Sequence, residues 1–214
     1  MYKYKCVIFD CDGVLVDSEP IGNEVLVEMT NELGGNIELD FAYEHFKGNS
    51  IQTVVDHISK LVNHKLGEAF ISEYRERSYK AFKEKIKPVT GVEDVIKKLQ
   101  IPFCVASSGP IEKIKLNLNL TGLLPYFEDK IFSCYTIQKW KPEPDIFLLA
   151  AKTMGFLPED CLVIEDSEIG VQAAKNGGFN VFSYTEHDYN GKLAKVSLKT
   201  FDKMSSLPAL LTNI

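Results

Sequence analysis

The sequence predicts an α/β fold, a Rossmann-like parallel sheet core carrying an inserted small all-helical domain. Three observations carry this expectation. Short apolar runs rich in β-branched and aromatic residues (Val7 to Phe9, Phe103 to Ala106, Ile131-Phe132, Cys161 to Ile164, Phe179 to Phe182) have the texture of strands buried on both faces. Stretches with helical spacing separate them, and strands alternating with helices of that length imply right-handed crossovers in a parallel sheet. No strand-like run interrupts residues 17–87, where only helical periodicity recurs. The expected division is a core from residues 1–16 and 88–214, with a helical insertion at 17–87.

Taken in order, the first strand stops abruptly at Asp10, and Gly13 marks a turn just beyond. Ile21, Val25, Leu26, Met29 and Leu33 then recur at helical spacing, with Pro20 suited to a first turn and Gly34-Gly35 to a stop. A second helix is expected from Ile51 to Leu61, capped by Asn49 or Ser50. A third runs from Glu68 to about Lys85 through Phe70, Ile71, Tyr74 and Phe82, and stops before Pro88. Core helices are expected from Val92 to Leu99, from about Ile111 to Leu118 with Pro110 able to open it, from Asp145 to Met154, and after Ser167 to Lys175. From Lys192 the pattern is weak, and only a terminal helix near Ser205 to Leu211 is expected.

Composition bounds the function. With 45% hydrophobic and 25% charged residues over 214 positions, the chain is ordinary globular material rather than disordered or fibrous. A net charge of −6 provides no basic footprint, which argues against nucleic acid as a partner. It does not argue against an anionic substrate, because a bound cation reverses the local charge. No apolar run reaches the length of a membrane span and no long apolar segment opens the chain, so the expectation is a cytoplasmic protein without a membrane partner. Cys6, Cys11, Cys104, Cys134 and Cys161 are odd in number and form no C-x-x-C pair, which suits reduced, mostly buried thiols and disfavours zinc. Nothing marks an oligomer interface, so a monomer or weak dimer is expected.

The chemistry-bearing residues fall at strand ends. In open α/β sheets ligands bind outside the carboxyl ends of the strands. Asp10 and Asp12 follow the first strand, and carboxylates two apart on an extended segment project to roughly the same side. Two such charges beside a dry core repel unless a cation or a shared proton compensates them. Ser107-Ser108-Gly109 follows the second strand and opens a helix, so a hydroxyl, a glycine and helix N-terminal amides can cradle a phosphate; the same residues also suit an ordinary strand-to-helix turn. Glu165-Asp166 ends another strand, where the pair either holds a cation or favours the following helix dipole. In Trp140-Lys141-Pro142-Glu143-Pro144-Asp145 two prolines fix the backbone around one lysine.

Together these residues suit one reaction. Carboxylates from two strands can hold Mg²⁺, with Mn²⁺ able to substitute. Ser107 and Lys141 would grip phosphoryl oxygens, Asp10 would be the nucleophile forming an aspartyl-phosphate, and Asp12 would act as general acid and then base.

The residues DCDGVLVDSE from Asp10, Ser107, Lys141 in KPEPDIF and Glu165-Asp166 match in order and separation the four motifs of the haloacid dehalogenase-like superfamily, which the sequence resembles over nearly its whole length. The resemblance implies Asp10 as nucleophile, Asp12 as acid/base that also lends a backbone carbonyl to Mg²⁺, and Asp166 as metal ligand with Glu165 assisting. The insertion looks like the small cap of the subgroup containing β-phosphoglucomutase and many sugar phosphatases. Dehalogenation is disfavoured, because halide-releasing members resemble this pattern without the second aspartate and the metal. Lys47-Gly48-Asn49-Ser50 is followed by Ile51, where β-phosphoglucomutases carry an arginine, and the cap-side histidine expected near Pro20 to Gly22 is absent. Phe132 to Pro144 and Phe46 to Gly48 are similar to stretches of bacterial six-phosphogluconate phosphatases.

The expectation is thus a phosphatase of small phosphorylated sugars or sugar acids, with Glu19, Lys47, Gly48, Asn49 and Arg75 as candidates to contact the substrate beyond its phosphate. Lys47 and Arg75 suit a carboxylate, although solvated surface is the commoner role of such an arginine. The alternatives are a hexose-phosphate mutase using the same intermediate and a non-catalytic binding protein on the same scaffold.

Overall fold

The computed structural model describes residues 2–188 and 191–212. Its residues divide into two compact units, one of residues 1–17 and 87–214 and the other Ser18–Ile86.

The larger unit is built on a six-stranded, all-parallel sheet of order β3-β2-β1-β4-β5-β6. The strands are β1 (Cys6–Phe9), β2 (Phe103–Ser107), β3 (Ile131–Ser133), β4 (Cys161–Glu165), β5 (Asn180–Tyr184) and β6 (Lys199–Phe201). β1 is fully buried between β2 and β4, which is why its residues are apolar without alternation. Chain order runs outward from β1 to one side through β2 and β3, then returns to the other side with β4. The crevice beside β1 is therefore the topological switch point, where such sheets bind ligands. One face of the sheet packs Ile8, Ala106 and Val163 with Phe147, Ala150 and Ala173. Elsewhere in the unit Phe9, Phe103 and Phe127 meet edge to face, with centroids 5.2–6.4 Å apart.

The smaller unit holds four helices, α1 (Glu19–Glu32), α2 (Leu39–His45), α3 (Ile51–Leu61) and α4 (Glu68–Lys85), and no strand. Its core is a separate cluster around Met29, Ala42, Val55, Ile58 and Ile71. Ser50 caps α3, its hydroxyl accepting from Thr53 N at 3.2 Å. α3 and α4 have the expected bounds, whereas α1 starts two residues earlier because Ser18 is its cap and Pro20 lies in its first turn.

The core helices are α5 (Val92–Lys98), α6 (Ile111–Leu120), α7 (Leu124–Phe127), α8 (Cys134–Ile137), α9 (Asp145–Met154), α10 (Glu168–Asn176), α11 (Leu193–Val196) and α12 (Leu207–Thr212). Pro110 is the cap of α6 rather than its first helical residue, its backbone being extended. Phe179, expected to open β5, instead donates its N–H to Ala174 O and closes α10, after Gly178 turns at φ +79°. β6 escapes sequence reading because only Phe201 of its three residues is buried, and α2 because only Ala42 is. The weakly patterned tail therefore holds α11 and β6 as well as the expected terminal helix.

Candidate active site

The register of the strands builds the site. Phe9 lies level with Val105 and Ile164, and Asp10 continues the ladder for one step by donating its N–H to Ile164 O at 2.9 Å. Asp10 therefore emerges beside the ends of β2 and β4, where Ser107 and Glu165 stand.

A buried ion network occupies this seam. Lys141 Nζ lies 2.6 Å from Asp10 Oδ1 and 2.6 Å from Glu165 Oε1, with its side chain only 4% exposed. It also reaches Ala106 O at 3.4 Å and stands 4.8 Å from the Phe147 ring centroid. Burial alone would lower the lysine pKa, but Asp10 and Glu165 outweigh it and hold the ammonium above its usual range. Burial pushes the Asp10 carboxyl up, against the pull of Lys141 and with the crowding of Glu165, Asp166 and Asp12 behind it. The Glu165 carboxylate is thoroughly engaged: Oε2 accepts from Asp166 N at 2.9 Å, Ser167 N at 3.0 Å and Ser167 Oγ at 2.9 Å.

Asp10, Glu165 and Asp166 each present an oxygen, and these oxygens all lie within 4.8 Å of one another, buried. This is an all-oxygen, hard donor set, and it fits a small divalent cation.

Asp12 is not one of the three residues whose oxygens gather within 4.8 Å. The strand ends at Phe9 and the chain bends at Cys11, between the two aspartates, so the strict two-residue period of an extended segment no longer applies. Its Oδ2 instead meets Lys113 Nζ at 2.9 Å. Gly13 allows this turn to press on the trio, for a Cβ there would stand 2.2 Å from Asp166 Oδ2.

On the other side lies the loop after β2. Ser107 Oγ accepts from Gly109 N at 3.0 Å, Gly109 O accepts from Ser133 Oγ at 2.6 Å, and Ser108 Oγ accepts a weak thiol contact from Cys134 at 3.9 Å. Ser107, Gly109 and the Asp12–Lys113 pair converge: a Cβ on Gly109 would lie 3.5 Å from Ser107 Oγ, 3.6 Å from Lys113 Cδ and 3.8 Å from Asp12 Oδ2.

The remaining expected residues belong to the helical unit. Glu19 opens α1 and accepts from Asn23 Nδ2 at 3.3 Å. Lys47, Gly48 and Asn49 form the turn between α2 and α3, Gly48 at φ +75° and the Asn49 amide donating to His45 O at 3.1 Å. Arg75 lies midway along α4, its carbonyl accepting from Ser78 Oγ.

Lys113, Ser133 and Gly170 were invisible to motif reading. A Cβ on Gly170 would fall 1.8 Å from Glu165 Oε1, so this helical glycine makes room for the carboxylate that holds Lys141. One signal pointed to Lys113: it is a cation in the first turn of a helix, against the helix dipole, directly after the Ser-Ser-Gly turn.

Comparison with known proteins agrees with this geometry. Residues 4–178 match the family model described as haloacid dehalogenase-like hydrolase. The chain is 32% identical over 211 residues to the 6-phosphogluconate phosphatase of Escherichia coli K12, covering 98% of this chain and 96% of that one. It is 29% identical to the fructose-1-phosphate phosphatase of the same organism, over 83% of this chain and 95% of its relative. Among solved structures, a haloacid dehalogenase-like protein of unknown function from Agrobacterium tumefaciens superposes with a TM-score of 0.86 at 28% identity, over 97% of both chains. The chain belongs to the haloacid dehalogenase-like hydrolase family.

Proposed function

We propose that this hydrolase is a Mg²⁺-dependent phosphatase of small phosphorylated sugars or sugar acids, 6-phosphogluconate foremost, acting through a phosphorylated Asp10. The observation that carries the reading is the convergence of Asp10, Lys141, Glu165 and Asp166 beside the Ser107 turn. The names of the two E. coli relatives support the substrate class.

Asp10 and Asp166 would hold the cation, with Glu165 at its edge and Asp12 lending its backbone carbonyl. When bound, Mg²⁺ supplies positive charge that offsets repulsion between an anionic nucleophile and an anionic ester. An Asp10 carboxylate oxygen attacks phosphorus, forming the O–P bond of an acyl phosphate as the bond to the sugar oxygen breaks. The carboxylic acid form of Asp12 gives its proton to that departing oxygen. Asp12, now a carboxylate, takes a proton from a water that attacks the phosphorus, and phosphate leaves as the bond to Asp10 breaks. Lys141 and the hydroxyl and amides of the Ser107, Ser108 and Gly109 turn hold the phosphoryl oxygens as charge builds there. Glu165 keeps the ammonium in place.

The helical unit at 17–87 is proposed as a cap, with Glu19, Lys47, Gly48, Asn49 and Arg75 reading the part of the substrate beyond the phosphate. Mutase chemistry is less well supported: Ile51 stands where an arginine would hold a second phosphate, and the Ser50 hydroxyl is engaged in capping α3. All five cysteines are free and buried, which suits the reducing cytoplasm assigned to the protein here. No described helix is long and apolar enough to cross a membrane.

The test is phosphate release from a panel of sugar phosphates and phospho-sugar acids, with Mg²⁺ and with chelator. Metal-dependent hydrolysis preferring 6-phosphogluconate, lost on the order of 10⁴-fold in Asp10→Asn, is expected. Turnover surviving in Asp10→Asn would overturn the nucleophile, and no release from any ester would overturn the phosphatase reading.

A further inference from the structure

We propose that Lys113 is a positioning residue for Asp12: it holds the carboxyl group toward the Ser107 side of the site and off the cation-binding trio. The inference rests on the phosphatase reading above and assigns a role that none of the four motif positions supplies.

Four observations lead to it. Lys113 Nζ and Asp12 Oδ2 are 2.9 Å apart, with side chains 21% and 18% exposed, so the pair is largely shielded and its orientation is restricted. Asp12 lies two residues from Asp10, yet the oxygens that gather into the acidic cluster come from Asp10, Glu165 and Asp166. What the structure places on the Asp12 carboxylate is Lys113, whose ammonium donates to Oδ2 from a helix 101 positions further along the chain. A lysine in the first turn of a helix opposes the helix dipole, so α6 gains nothing by its presence and the pair with Asp12 supplies the compensation. Lastly, Ser107 Oγ, Lys113 Cδ and Asp12 Oδ2 all stand around Gly109, 3.5, 3.6 and 3.8 Å from where a Cβ would lie, so the pair sits beside the Ser107 turn.

The consequence is a division of labour between two aspartates two residues apart. Lys141 fixes Asp10 in the seam for attack on phosphorus, and Lys113 fixes Asp12 where the sugar oxygen departs. The two ammonium groups thus sort two otherwise equivalent carboxylates.

The test separates this role from a general one by changing the leaving group. Dinitrophenolate needs no proton when it leaves, whereas a sugar alkoxide does. Lys113→Met and Lys113→Arg would be compared with wild type in kcat on the sugar phosphate hydrolysed fastest in the panel. They would also be compared in the pre-steady-state burst of dinitrophenolate from 2,4-dinitrophenyl phosphate. Since general acid catalysis contributes on the order of 10²–10⁴-fold, the ratio of sugar-phosphate turnover to burst rate should fall at least about tenfold in Lys113→Met. Lys113→Arg, which keeps the cation, should recover most of the ratio. Equal losses on both substrates would overturn the proposal, pointing instead to phosphoryl binding or to folding, as would no loss on either. A wild type that turns over neither ester would overturn the phosphatase reading itself and this inference with it.

Discussion

Replacing Lys141 by methionine tests the electrostatic centre of the molecule most directly. The ammonium is buried and makes two contacts of 2.6 Å to carboxylates at the ends of β1 and β4, strands that neighbour each other only in space. Methionine keeps most of the stem's length and apolar contact, including that with Phe147, so the change isolates the charge. Removing one partner of a buried ion pair costs about 3–5 kcal/mol, because the carboxylates left behind are desolvated and uncompensated. At about 2–4 °C per kcal/mol for a chain of this size, the melting temperature should fall by about 6–20 °C. Urea unfolding in chelator, so that no cation offsets the carboxylates, would measure it as a lowered midpoint with an unchanged slope. The pH behaviour provides a second check. The lysine pKa is raised on folding, so its stabilisation is complete below the ordinary unfolded value near ~10.4 and is lost only as pH rises through the higher folded value. The difference between wild type and variant should therefore not shrink as pH rises to about 9. A variant as stable as wild type, or a difference that fades between about pH 7 and 9, would refute a protonated lysine holding this seam together.

Three further outcomes follow from the packing. Gly170→Ala should destabilise by about 1–3 kcal/mol and depress turnover with it, since its Cβ would stand 1.8 Å from Glu165 Oε1; unfolding and kcat measured together would show the coupling. Cys6 is pushed up to about 12, first by its contact with the Cys104 thiol and then by burial, so its stabilising contribution is fully present below the ordinary thiol pKa and is lost as pH rises from there to the folded value. Wild type should then lose stability more steeply than Cys6→Val above about pH 9, and parallel urea midpoints in the two proteins would contradict this. Ile58→Ala, at a fully buried site in the helical unit, should cost about 2–5 kcal/mol in urea unfolding.

The strands and long helices were legible because their sequence pattern and their burial are the same fact. Cys161 to Ile164 reads as apolar without alternation because both its faces are covered, and α3 and α4 carry their periodicity and boundary residues on the surface of the sequence. The elements that escaped have little buried surface to announce them: α2 buries only Ala42, and β6 only Phe201. The acidic and serine motif residues were legible because each stands at or just past a strand end, and Lys141 because prolines follow it closely in the loop before α9. What each one touches was not. The expectation for Asp10 and Asp12 assumed an extended backbone, and neither the bend at Cys11 between them nor the pairing of Asp12 with Lys113 is written in the local pattern.

That failure has a physical reason that reaches beyond one loop. Lys141 and Glu165 are 24 positions apart, Lys141 and Asp10 131, and Lys113 and Asp12 101. No local pattern marks such pairs, because the energy that fixes them is made only when the sheet closes and excludes water. Yet these pairs decide what each carboxylate can do. Glu165 lies within reach of a cation, but Lys141, two backbone amides and a hydroxyl already claim its oxygens. Its work is better described as anchoring the lysine that faces Asp10 than as ligating metal. Asp10 and Asp166 are then the carboxylates with the stronger claim on the ion. The same argument predicts that Glu165→Gln should lower phosphate turnover with a smaller change in Mg²⁺ affinity than Asp166→Asn, read from the Mg²⁺ concentration at half-maximal rate. The opposite order would return Glu165 to the metal shell.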